Sequence, residues 1–455
     1  MGSITYNFLS DSILFNEKSI SNNFRNETDS RIEKELLDYR NHCIKNYPEL
    51  IKEIKDKESF LKVFSSTQKT PYELLKQTSL YVDQFIIYDP LFRHSDFQSD
   101  MSKVTGEYLG YQSNGLNKTD VSKASKFLKE ITPMIVADYV KIFPLSYHFE
   151  GPKSIPLNLP TDYYNSALPK PIMDFFWDNV SVRSMKKMDK GGWYVDEDTL
   201  KPCRGIVVDF KESNFSKSMI YHLFEMEMMD FDENTGKATF KQTLPDTPPT
   251  KDHFNAWVQQ SINSASKAYF DKVFNETFIA SNLNSTYLCD NNFTNNLITE
   301  NFETKQNIPA YTATQIMNLD LPFLENLDIQ KLMDIRLYEE NVFTNFRLEL
   351  EKSFRELRNE TDEKILKQKA ENIFHELDEV QGQKIKNKID HIKKQASVNA
   401  IVGLGGLASS FHTGGFSLLA TAVAMGKGYT DYLSYNKEVK NNPAYLLWKS
   451  KKASR

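Results

Sequence analysis

Cysteine is nearly missing from this chain: three in 455 residues, Cys43, Cys203 and Cys289, widely spaced and odd in number. That usage excludes a disulfide framework and fits a reducing compartment, so a cytoplasmic address, peripheral to a membrane at most, is expected. No CxxC pair occurs. The eight histidines, at 42, 94, 148, 222, 253, 375, 391 and 412, never recur three or four residues apart, so metal-ligand spacing is lacking and no metal is expected. A phosphate-binding loop is lacking too. Gly403-Leu404-Gly405-Gly406 lies inside an apolar helical pattern, with no Lys-Ser/Thr behind it and no strand ahead of it. With no G-x-S-x-G elbow either, the sequence points to no cofactor and leans away from an enzyme. There is no excess of positive charge: 56 Lys and Arg face 61 Asp and Glu, a net charge of -5. General attraction to nucleic acid or an anionic membrane is not expected. The first twenty residues lack a positive region followed by a long apolar core, so no signal peptide is read there.

One further absence is local. From Gln395 to Gly426 there is no Asp, Glu, Lys or Arg, in a chain that is 26% charged with a mean hydropathy of -0.52. The window holds Gly403, Gly405, Gly406, Gly414, Gly415 and Gly426. Gly414 and Gly415 divide it into arms of about 18 and 11 residues, roughly 27 Å and 17 Å as helices, against about 30 Å of bilayer hydrocarbon. Permanent spanning is therefore not expected. Small residues let helix backbones approach closely, so the window reads as a glycine-rich helical hairpin that must pack against something. Other helices of the chain, another protein, a second copy or, conditionally, a membrane would serve. Phe411 and Phe416 beside the turn, and Trp448 in the aromatic and basic tail, join Gly403, Gly405, Gly406, Gly414 and Gly415 as candidate interaction residues.

What is present elsewhere points to a predominantly helical α+β protein. Residues 1–143 read as helical. Thr70-Pro71-Tyr72-Glu73 has the form of a capping box, with Leu74, Leu75, Tyr81, Val82, Phe85 and Ile86 on one face up to Pro90. A second helix begins at Asp120, and Met134 to Phe143 continues beyond Pro133. Six of the seventeen prolines fall between 144 and 171, which marks a connector. Region 172–306 then carries a small antiparallel β-meander at about 193–243, with strands expected at 193–195, 204–211, 219–229 and 237–243 and a turn at 230–236. Thr250 caps a helix through Phe254, Trp257, Ile262 and Phe270. Region 322–455 is helical, with a stripe through Leu332, Phe343, Leu350 and Phe354 and a coiled-coil seam at Leu366, Ala370, Ile373, Leu377 and Val380. The seam slips at Gly382 and resumes at Ile385, Ile389 and Ile392, inside the basic face of Lys384 to Lys394.

One constellation points to chemistry. Asp209 and Lys211 on a strand, with Glu225 and Glu227 sharing a face of the next, have the outline of a Mg²⁺-dependent nuclease site, in which carboxylates and a lysine orient water on a phosphodiester. The acidic edge of a solvated sheet accounts for them equally. The leading expectation is a non-enzymatic interaction or assembly protein, toxin-like or serving host defence, that works through its glycine-rich hairpin. A structural scaffold and the Asp209/Lys211 nuclease are the alternatives. Another protein or self-association is the expected partner, with conditional membrane contact and no nucleic acid.

Overall fold

The computed structural model describes residues 3–377, except 58, 66, 68, 69, 80, 96–115, 150–162, 189–191, 197–199, 212–218, 236, 246, 290, 302, 305–307, 318–328, 339, 360 and 361, together with 417–419 and 423–424. The chain is a mixed α/β protein, helix-rich, built on a parallel sheet that the helical reading of residues 1–143 did not contain. Its strands are β1 (Lys62–Ser65), β2 (Gln84–Tyr88) and β3 (Val140–Phe143). They are joined much later by Thr286–Cys289 in the order Thr286–Cys289, β1, β2, β3, all parallel. Every residue of these strands is buried, as expected where helices cover both faces.

The two faces are filled by different parts of the sequence. Crossovers β1 to β2 and β2 to β3 place Leu74, Leu75, Leu91, Phe92, Val121 and Leu128 on one face, against Val63, Phe85, Ile87 and Val140. The return from β3 places Ile172, Phe176, Ile262 and Phe270 on the other, against Phe64, Ile86, Phe143 and Tyr287. The result is three layers wound in both directions from β1.

Phe85 and Ile86 therefore lie in a buried strand, not on a helix. The helix begun near Thr70 is only Tyr72–Thr78, and Pro71 holds its cap position with no side-chain capping bond. Pro90 opens the helix Pro90–His94 instead of closing one, with Asp89 capping it through bonds from the Leu91 and Phe92 N–H groups at 2.9 Å. Other boundaries agree with the sequence. Lys118–Glu130 is capped by Asn117, Pro171 sits in the first turn of Lys170–Asp178, and Thr250 caps a helix of 32 residues, Lys251–Asn282.

Between β3 and that long helix lies the antiparallel region: β4 (Val180–Lys187), β5 (Trp193–Asp196), β6 (Gly205–Phe210) and β7 (Met219–His222) in the order β5, β4, β6, β7. β8 (Glu225–Asp232) and β9 (Lys237–Thr243) form a separate two-stranded sheet. The expected strand 219–229 is thus broken at Leu223 and Phe224, and β4 was not anticipated.

Following Thr286–Cys289 (β10) and the short β11 (Glu303–Thr304), helices Ile308–Met317, Ile329–Tyr338, Glu340–Arg355 and Glu363–Leu377 pack on the first face through Met333, Leu350, Phe354 and Ala370. The described part of the 366–380 seam, with Leu366, Ala370 and Ile373, docks on this core. Within the glycine-rich window, β12 (Ser417–Leu419) pairs antiparallel with β10, and β13 (Val423–Ala424) with β11, so these five residues are strand where a helical arm was expected. The rest of the 395–426 hairpin lies outside the described residues. Among the described residues no helix is long and apolar enough to cross a membrane.

Candidate interaction site

The antiparallel region stands on the three-layer body through an aromatic cluster. Phe210 of β6 stacks on Phe293 with ring centroids 5.1 Å apart, Phe176 meets Phe210 edge-on at 4.9 Å, and Tyr269 closes the group at 5.1 Å from Phe293. Trp177 adds a polar tie, its Nε1 donating to Asn263 Oδ1 at 3.0 Å. One face of the β4–β7 sheet is used up in this way.

From that platform the β8–β9 hairpin extends, held at both legs by one residue. The Leu223 N–H donates to the Arg204 carbonyl at 3.0 Å, and Arg204 Nη1 donates to the Pro245 carbonyl at 2.5 Å. Arg204 therefore fixes where β8 leaves the body and where β9 returns. At the tip, Asp232 accepts from the Thr235 hydroxyl at 2.6 Å and the Asn234 N–H at 2.9 Å, an Asx turn whose bonds hold the carboxyl below its ordinary range.

The hairpin exposes large apolar side chains. Met228 is 59% exposed, Met229 58% and Phe231 49%. Of the fourteen exposed large hydrophobic residues among those described, eight fall between Trp177 and Phe231, including Tyr194 and Ile220. Singly scattered exposed hydrophobes are ordinary, whereas Met228, Met229 and Phe231 fall within four residues of one strand. The register also sorts the residues. Met228 opposes Phe240 and Phe231 opposes Ala238, two positions apart on β9, so the bulge at Met229 keeps Met228 and Phe231 on one face. Glu225, Glu227, Asp230 and Asp232 fall on the other, opposite Thr243, Lys241, Thr239 and Lys237.

The residues singled out from sequence are only partly brought together. Asp209 is ion-paired with Arg183 across β4 and β6. Lys211 follows β6, with its N–H on the Asn179 carbonyl at 2.8 Å. Glu225 and Glu227 lie in the other sheet, so the four do not occupy adjacent strands. On the neighbouring strand pair, Asp196 of β5 is ion-paired with Lys186 of β4. No group of three or more His, Cys, Asp or Glu side chains with metal-holding geometry occurs among the described residues. Gly403, Gly405, Gly406, Phe411, Gly414, Gly415, Phe416 and Trp448 lie outside the described residues. No disulfide joins the three cysteines, of which Cys43 and Cys289 are buried. The carboxyl ends of the parallel strands, where ligands settle in such sheets, hold polar residues engaged in capping: Asp89 also accepts from the Tyr39 hydroxyl at 2.6 Å, and Asn291 accepts the Thr294 N–H at 2.8 Å.

Beside the hairpin's root, His222 and Trp193 meet edge-on at 4.7 Å over Gly205. A Cβ on Gly205 would sit 3.3 Å from His222, Met185 and Trp193 atoms, so glycine lets the rings close on the backbone. His222 Nε2 is buried with no hydrogen-bond partner among the described residues, and burial pushes the imidazole down to about 4. An unfolded histidine titrates near 6.5, so between these values the unfolded chain holds more protons and His222 costs stability as pH falls. Relative to wild type, His222→Phe is expected to gain about 2–3 kcal/mol between pH ~6.5 and ~4 in denaturant titrations. A constant difference across that window would show that the imidazole stays hydrated.

Among known protein families, curated proteins and solved structures, none matches this chain.

Proposed function

We propose that this chain is a non-enzymatic interaction protein that assembles with copies of itself through the exposed apolar β-region centred on the β8–β9 hairpin. The observation that carries this reading is the pairing pattern: among the described residues β8 and β9 join no other strand, yet Met228, Met229 and Phe231 stay about half exposed. A two-stranded ribbon is at best marginally stable alone in water, and a cover for its apolar face adds the burial it lacks. The glycine-rich window 395–426 is the second contact element, on the strength of its missing charge and closely spaced glycines, and conditional membrane contact belongs to that part of the proposal.

Sedimentation velocity over about 1–100 µM is the test, a range suited to an interface of modest area. The expected result is a sedimentation coefficient that rises with concentration for the natural chain, and stays monomeric for Met228→Lys with Phe231→Lys. Both positions are exposed, so the variant keeps its fold. A chain monomeric throughout, or an assembly untouched by the two lysines, would contradict the proposal.

A further inference from the structure

The hairpin's charge and shape narrow the kind of surface it accepts, given that it is an interaction site as proposed above. Residues 225–243 carry five carboxylates, Glu225, Glu227, Asp230, Asp232 and Glu233, and two lysines, Lys237 and Lys241, so the ribbon is net acidic. Glu225, Glu227, Asp230, Asp232 and Glu233 are all exposed. Pairing two copies of this hairpin edge to edge about a twofold axis would set β8 carboxylates against β8 carboxylates, or β9 lysines against lysines, and like charges directly opposite repel. The partner must be basic where it meets the rim and apolar where it meets Met228 and Phe231. Methionine adapts its shape to what it touches, which suits a helix better than a second rigid sheet.

We infer that the β8–β9 hairpin docks a basic amphipathic helix, with an apolar stripe laid on Met228 and Phe231 and flanking lysines reaching over the rim to the β8 carboxylates. The dimensions agree. The bulge at Met229 leaves Met228 and Phe231 opposite β9 residues two positions apart, about 7 Å, and apolar residues four apart on a helix rise about 6 Å. Lysine stems lie along apolar surface and carry their charge outward, so carboxylates on the opposite face of a narrow ribbon are within reach. A sequence of this chemistry exists in the chain itself. Lys384 to Lys394 carries five lysines and one aspartate around Ile385, Ile389 and Ile392. It supplies the probe.

A fluorescent peptide of residues 382–396 is titrated with the full-length chain, followed by anisotropy. Expected is saturable binding with Kd on the order of 10–100 µM, weakened about tenfold or more by Met228→Ser with Phe231→Ser in the chain. The same loss is expected from serines at Ile385, Ile389 and Ile392 in the peptide. Glu225→Gln with Glu227→Gln should weaken binding and flatten its dependence on salt. Circular dichroism establishes that each variant is folded. No binding at about 200 µM chain, a concentration above the expected Kd, or binding indifferent to both sets of serines, overturns the inference. Peptide binding that fails while sedimentation still responds to Met228→Lys and Phe231→Lys would leave the assembly reading standing and this inference refuted.

Discussion

Phe176→Ala is expected to lower the unfolding free energy by about 3–5 kcal/mol, the cost of emptying a well-packed aromatic site. Phe176 is fully buried and touches three rings, Phe210 at 4.9 Å, Phe293 at 5.5 Å and Tyr269 at 6.0 Å. Those rings come from β6, from the helix after β10 and from the long helix Lys251–Asn282. Their neighbours are aromatic and stiff, so the cavity collapses little and the loss falls toward the upper end. Function should follow stability here, because this cluster seats the sheet that carries the β8–β9 hairpin. Denaturant titration by fluorescence and by circular dichroism checks the value; two non-coincident transitions would show the antiparallel region unfolding by itself. Phe176→Leu should recover over half of the loss.

Arg336→Ala is expected to cost about 3 kcal/mol, on the other face of the molecule. Arg336, in helix Ile329–Tyr338, donates to the carbonyls of Ser79, Val82 and Asp83, the last two at 2.9 and 3.0 Å. Its guanidinium also lies 4.5 Å from the centre of the Tyr139 ring. Arg347 from the next helix pairs with Asp83, and Tyr81 donates to Glu351 at 2.9 Å. Together these latch the C-terminal helices to the turn that leads into β2. Removing the fork leaves carbonyls without a donor, and hydrogen bonds from a charged group are worth about 1.5–3 kcal/mol each, part of which water repays. Arg336→Lys should recover little, since an ammonium is a single point charge and three carbonyls need a planar fork. Equal stability of Arg336→Lys and wild type would show that net charge, not the fork, secures the latch.

How much of this was legible in the sequence depended on whether the signal was local. Some caps and proline-led first turns came through, Thr250, Pro171 and the helices after residue 329 among them, but the Thr70 capping box did not form and Pro90 opens a helix rather than ending one. The meander came through in outline because alternation needs only neighbouring residues. The parallel sheet did not. Phe85 to Tyr88 is a short apolar run that suits a buried strand or a buried helix turn alike, and only pairing with β1 and β3, 20 to 60 residues away, decides it. Nothing in the helices of Arg336 and Arg347 shows that the chain near Asp83 folds over them. The hairpin's exposed face was hidden by a related ambiguity. Met226 and Met228 continue the alternation of Ile220 and His222, and the break at Leu223 and Phe224 comes from the Arg204 clamp, which is tertiary. The run of carboxylates drew attention to chemistry, while the apolar residues between them are the exposed feature of the hairpin.

On the proposed reading, the exposed apolar residues of the β8–β9 hairpin are a working surface. Hydrogen exchange of residues 225–243, followed at low and at high protein concentration, addresses it most directly. Exchange there should slow as the chain assembles, more than in the parallel strands, whose amides are protected in either state. If the mass rises while residues 225–243 exchange at an unchanged rate, the hairpin is a bystander and the working surface lies elsewhere.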